Sequence, residues 1–266
     1  MIPFRGVKIF RHIAVEYLQK IRNVFLVKGN YVFHALSLLN LIQNKTIKRI
    51  DEIKALLLKD IQLEWREKAS FNSILLYVVA TVFVVYLVFN EIEDLTTWIA
   101  LFWIVLLFAA TNASINSFKR ESSTQFLYFY SLCSPQGIIF SKLIYNTLLL
   151  MTVGLLSFGL FHFLLGNPIE NNLLFLAVML LGSSAFASTL TLVAAIASKT
   201  NNNAALTAIL AFPILLPSIL TAIKASMYCG LGFDGDEVGN YLLVLALLNL
   251  LVYSLSYVLF PYLWRS

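Results

Sequence analysis

The chain has 266 residues, of which 59% are hydrophobic and only 12% charged, with a mean hydropathy of +0.81. A water-soluble domain carries roughly twice that share of charge, and the apolar runs lack the alternation of barrel strands, so the composition excludes the first and argues against the second. The net charge of +5 hides a division, because residues 1–49 hold nine Lys/Arg against Glu16 alone and residues 50–266 hold ten against thirteen acids.

Residues 1–49 form a basic extension with scattered aromatics. Its one apolar stretch, 31–42, is too short and too polar to cross a bilayer. It either lies on the membrane surface or is poorly ordered, and it stands outside the functional core. Its charge favours the cytoplasmic side and anionic headgroups over nucleic acid. Arg11, Lys20 and Arg22 interrupt any apolar run of signal-peptide type. Over residues 53–68, Leu57, Leu58, Ile61 and Trp65 fall on one helical stripe, while Lys59, Gln62 and Arg66 face away. This predicts a helix lying at the interface, with Trp65 at headgroup level; the alternative is an ordinary cytoplasmic helix preceding the first span.

Six apolar stretches follow, near residues 73–90, 95–114, 143–165, 173–197, 204–223 and 241–263. Each approaches or exceeds the ~20 residues that cross a hydrocarbon core. Basic residues are confined to alternate loops. Residues 91–94 hold three acids and no base, 166–172 hold Glu170 and no base, and the loop expected over 224–240 has one Lys against three acids. The intervening loops carry Lys119, Arg120 and Lys142, then Lys199, and the chain ends with Arg265. An even number of spans with both termini in the cytoplasm satisfies every loop.

The long loop over 115–137 places Phe118-Lys119-Arg120-Glu121 before Phe126-Leu127-Tyr128-Phe129-Tyr130 and then Ser134-Pro135. Charge followed by bulky aromatics suggests a short helix against a partner protein or against lipid. Ser134-Pro135 reads as the start of span three. In span four, Gly182, Ser183, Ser184, Ala185, Ala187 and Ser188 make a small-residue packing face, within the chain or between subunits. In span five, Pro213 and Pro217 are expected to kink or break the helix.

Apart from boundary residues such as Lys142 and Lys224, no Asp, Glu, Lys or Arg falls within the spans, which weighs against a proton-driven carrier. No GxxxxGK[ST] motif occurs, so the chain does not bind and hydrolyse ATP as a P-loop protein. No nucleophile–base constellation stands out, and no metal site. Of three histidines only His162 is embedded in a span, near its outer end; it is either a hydrogen-bonded structural residue or a group able to approach a haem iron. Cys133 and Cys229 fall on opposite sides of the bilayer on this topology and do not pair.

Several of these residues, in order, resemble the haem exporter permease of cytochrome c maturation, the CcmB family. They are Leu56-Leu57-Leu58-Lys59-Asp60 with Trp65-Arg66, Phe118 with Glu121, Leu132-Cys133-Ser134-Pro135 with Lys142, and the run from Phe212 through Pro213 and Pro217 to Ile219. The resemblance extends over about 53–263 and leaves 1–49 outside. One departure is that Ser122-Ser123-Thr124-Gln125 stands where the family has an acidic-Gly pair.

The resemblance implies an all-α, six-span permease of the ABC-2 exporter type over 50–266, in the bacterial inner membrane. It implies no enzymatic activity and no covalently bound cofactor; ATP is used only through a separate cytoplasmic ATPase subunit, and haem is the ligand transported or handled. Phe118, Arg120, Glu121, Phe126, Tyr128, Tyr130, Ser134 and Pro135 would form the loop that couples to the ATPase, and Asp60, Trp65 and Arg66 the elbow before span one. Further partners would be the haem-handling C and D subunits, the periplasmic haem chaperone and a second permease half. Other ABC-2 permeases, for lipid, polysaccharide or drug, share this logic, and a non-transporting assembly scaffold is the remaining alternative.

Overall fold

A computed structural model of the protein describes residues 50–62, 69–119, 133–198, 203–233 and 235–265. Among these residues the secondary structure is helical, with no strand. A helix over 50–62 (α1) precedes α2 (Ala69–Phe89), α3 (Leu95–Lys119), α4 (Pro135–Leu164), α5 (Asn172–Ala197), α6 (Asn203–Gly230) and α7 (Gly235–Arg265). The last six are long and apolar enough to cross a membrane. Residues 1–49, including the stretch 31–42, lie outside the described residues, and the compact unit that holds the six helices begins at Glu52.

Helix α5 occupies the centre, packed on α3, α4, α6 and α7. Its membrane-length stretch is 67% buried, against 17% for α2, which packs mainly on α3 and α4. The small residues account for this position. Gly182, Ser183, Ser184, Ala185, Ala187 and Ser188 are all buried, and small side chains let neighbouring helices approach closely. At Gly182 the approach is specific. A Cβ there would sit 2.4 Å from Cη2 of Trp103, so the indole ring of α3 occupies the space a side chain would need.

Three helices are longer than the apolar runs suggest. Span three starts at Pro135, span five continues to Gly230, and span six starts at Gly235. Lys142 and Lys224, read as boundary residues, both lie inside helices. The break expected at Pro213 and Pro217 does not occur either, since α6 runs through both prolines. Each proline withholds one backbone N–H. Within a helix otherwise bonded along its length, two such losses four residues apart leave the chain helical; the carbonyl of Pro217 still accepts from Thr221 Oγ1 at 2.7 Å.

The loops after α2, α4 and α6 meet at one end of the bundle. The N–H of Ile92 donates to the carbonyl of Leu165 at 3.1 Å, and that of Asn171 to the carbonyl of Cys229 at 3.1 Å. Glu91, Glu93, Asp94, Glu170, Asp236 and Glu237 all fall here, so we call this the acidic end. It is the same grouping of loops that the charge alternation predicts. Asn90 ends α2 at a φ of 60°, a left-handed conformation that asparagine tolerates. Asp94 starts α3 by accepting from the N–H of Thr97 at 2.8 Å. Hydrogen bonds from Thr97 hold the Asp94 carboxyl below its ordinary pKa.

Beneath these loops lies an aromatic cluster. Trp98 stacks on Phe102 at 5.5 Å and meets Phe161 and Phe175 edge-on at 5.2 and 5.6 Å. Its Nε1 donates to the carbonyl of Gly166 at 3.0 Å, which ties α3 to the loop after α4. One turn further, Trp103 packs edge-on against Phe186 at 5.4 Å and donates to Ser226 Oγ at 3.0 Å.

Candidate functional site

The opposite, basic end carries the ends of α3 and α4 that flank residues 120–132. The start of α4 is built by three local features. Ser134 is extended, and its Oγ accepts from the N–H of Gly137 at 3.1 Å. Pro135 takes the first helical position, where a missing N–H costs nothing. The Ser-Pro pair therefore starts span three, as the sequence predicts.

A carboxylate from α1 completes this cap. Glu52 accepts from the N–H of Ser134 through Oε1 and from Ser134 Oγ through Oε2, the latter at 3.0 Å. Leu56, one turn along α1, is buried in a small cluster with Ile138, Ile139, Leu143, Ala194, Ala195 and Phe260. The face that α1 turns to the bundle thus runs through Glu52 and Leu56. The expected apolar stripe does not coincide with it, because Leu58 is 56% and Ile61 39% exposed. That stripe is expected to meet the membrane interface, whereas the bundle is met by Leu56, which packs on residues of α4, α5 and α7.

The end of α3 is held by a cation. Lys142, in the second turn of α4, is only 3% exposed, and its Nζ donates to the carbonyl of Ser117 at 3.0 Å. Ser117 lies in the last turn of α3, where carbonyls lack intrahelical donors and the helix dipole is negative. A buried ammonium is costly unless partnered, and the carbonyl of Ser117 is one partner. Toward the bundle interior, Asn146 donates to Thr191 Oγ1 at 2.8 Å, and the hydroxyls of Thr147 and Tyr253 lie 3.1 Å apart. These bonds tie α4 to α5 and α7.

The predicted coupling residues are only partly visible. Ser134 and Pro135 form the α4 cap, and Phe118 belongs to the last turn of α3. Arg120, Glu121, Phe126, Tyr128 and Tyr130 lie outside the described residues, as do Trp65 and Arg66 of the predicted elbow. Asp60 is paired with its neighbour Lys59 at 3.1 Å. Pro213 and Pro217 lie on the exposed side of α6. His162 is far along α4, near the acidic end; its ring is exposed and stands 6.3 Å from that of Phe158.

The two cysteines are free, Cys133 half-buried beside the α4 cap and Cys229 buried near the acidic end. Burial, and then the nearby Glu52 carboxylate, raise the Cys133 thiol above its ordinary pKa, with Lys59 opposing. Among the described residues no group of three or more His, Cys, Asp or Glu is placed to hold a metal.

Sequence reasoning missed two of these roles. Lys142 carried a signal, since a lone lysine seven residues beyond a Ser-Pro cap must find a partner inside the bundle. Glu52 carried none, because its partner is 82 residues away.

Six apolar helices, a packed central span and loops of alternating charge define a polytopic helical membrane protein. Residues 51–261 match the family described as CcmB protein, and the chain belongs to that family, the haem exporter permeases. A comparison with curated proteins found no significant match.

Proposed function

We infer that the protein is the membrane subunit of an ABC-2 type exporter that serves haem delivery for c-type cytochrome assembly. ATP hydrolysis takes place in a separate cytoplasmic subunit that grips the 120–132 connection. The basic end then faces the cytoplasm, both termini lie there, and the acidic end faces the periplasm of a bacterial inner membrane. Family membership over 51–261 is the observation that carries this reading. The sequence supports it in two further ways: basic residues sit in alternate loops, and a P-loop is absent, which leaves ATP turnover to a partner.

Force on the connection reaches the bundle through its flanks. Phe118 lies in the last turn of α3, Ser134 and Pro135 start α4, and the sequence between them holds the charged Arg120 and Glu121 and the aromatic Phe126, Tyr128 and Tyr130. Residues 50–62, with Leu58 and Ile61 exposed and Asp60 on the same helix, suit an elbow lying on the membrane surface; Trp65 and Arg66 follow in the sequence. Residues 1–49 are a basic extension that precedes the family match. His162 offers an imidazole on the outer surface near the acidic end, where haem would meet the C and D subunits and the chaperone. A second permease half completes the transporter.

Affinity purification of the tagged chain from its native membrane, followed by mass spectrometry, tests this reading. The expected result is co-recovery of a P-loop ATPase, a tryptophan-rich haem-handling membrane protein and a haem chaperone. An ATPase without the other two would favour an exporter of lipid, polysaccharide or drug. No ATPase at all would leave a non-transporting scaffold.

A further inference from the structure

We propose that Glu52 is a positioning residue that makes α1 and the entrance of α4 one body, so that a displacement of the first turn of α4 carries α1 with it. The functional half of this role rests on the permease reading above; the structural half stands on geometry alone.

Both carboxylate oxygens of Glu52 are engaged by one residue, Ser134, through its N–H and its Oγ. Bonds to an ionised carboxylate are about twice as strong as neutral ones, and the N-terminus of α4 favours the negative charge further. Glu52 and Leu56 are four residues apart and therefore share a face of α1. Leu56 supplies apolar contact, which has no direction and tolerates sliding. The two-point carboxylate contact adds direction, fixing the rotation of α1 against α4.

Gly137 makes room for this contact. A Cβ there would come within 2.9 Å of Glu52 Oε1 and 3.0 Å of Ser134 Oγ. Glycine is a poorer helix former than alanine, so the first turn of α4 carries a weak helix former where the carboxylate docks. In the same first turns of α4, Lys142 separately holds the end of α3 through the carbonyl of Ser117, so α1 and α3 are each tied to the start of α4 by a side chain.

The test combines hydrogen exchange of the full-length protein in lipid nanodiscs with transport in the reconstituted complex. In Glu52→Ala, exchange of the α1 amides should rise at least tenfold while amides of α5 and of the acidic end keep wild-type rates. Gly137→Ala displaces the carboxylate without removing it and should reproduce the rise, which guards against misfolding of the first variant. Glu52→Gln keeps the shape and should stay within about threefold of wild type. Haem delivered per ATP hydrolysed should fall at least fivefold in Glu52→Ala and remain within twofold in Glu52→Gln, a rescue that a merely structural role would not show. Unchanged α1 exchange in both Glu52→Ala and Gly137→Ala would overturn the tie. Faster exchange with an unchanged transport ratio would overturn its role in coupling. A wild-type chain that binds no ATPase would count against the permease reading and leave the tie to be decided by exchange.

Discussion

At the acidic end, backbone hydrogen bonds join the loops over a filled aromatic cluster, whereas at the basic end the helices flanking residues 120–132 are held by two charged side chains, Glu52 and Lys142. The contrast is one of number and kind. Trp98 alone meets four other rings and one carbonyl, so displacing it forfeits many small dispersion contacts together. The basic end has only the small apolar cluster around Leu56 and Leu143 and adds to it a few directional contacts, each of which can be lost by itself. A bundle built this way separates first where the charged contacts are, beside the segment expected to meet a partner.

The contrast can be broken most severely at Trp98. Replacing it with alanine removes the centre of the aromatic cluster and the bond to Gly166, and should destabilise the protein by about 3–5 kcal/mol. Thermal unfolding in detergent would show it, and a loss well under 1 kcal/mol would mean the acidic end is not locked by this ring. Gly182→Ala probes the same half from α5. Its new Cβ meets Trp103 at 2.4 Å, and the ring is held by Ser226 and Phe186. Overpacking of this kind costs about 1–3 kcal/mol, again read as lowered thermal stability.

At the basic end, Lys142→Met keeps the length of the side chain and removes the donor to Ser117. The stranded carbonyl should cost about 1–3 kcal/mol. The effect should also be local, with faster hydrogen exchange in the last turn of α3 and none in the Trp98 region. Uniform loosening of the bundle would instead show that the two ends are not separately held.

What could be read in the sequence follows the same division. The six spans, the grouping of loops at the acidic end and the small-residue face of α5 are consequences of composition and spacing, which act locally or through the bilayer. The apolar runs expected for α4 and α6 stop at a lysine, and that for α7 at the acids Asp236 and Glu237, which in fact form the first turn of the helix. Lys142 instead stays inside by bonding Ser117, and Lys224 sits on an exposed face of α6. The break at Pro213 and Pro217 failed because backbone bonding on either side of each proline sustains the helix. Glu52 was illegible for a different reason: a charged residue on a surface helix acquires its role only when the fold brings Ser134 to it. The aromatic run at 126–130 remains a matter of sequence, since it lies outside the described residues.

The smallest effect expected is chemical and leaves the fold intact. Cys133 sits beside the α4 cap, where burial and then Glu52 raise its thiol pKa. The thiolate is the reactive form, so a raised pKa leaves less of it at any given pH. Alkylation of Cys133 by iodoacetamide should therefore be slower at pH 7 than that of an exposed cysteine in a peptide, and its rate should keep rising past the pH at which the peptide levels off. Glu52→Gln removes one of the two causes and should move the profile toward lower pH, though not all the way, because burial is the larger cause. Cys229, buried at the other end of the bundle, should remain unmodified throughout. A Cys133 profile that matches the free peptide would mean that the basic end is open to solvent at the α4 cap, and that the contact between Glu52 and Ser134 does not shield it.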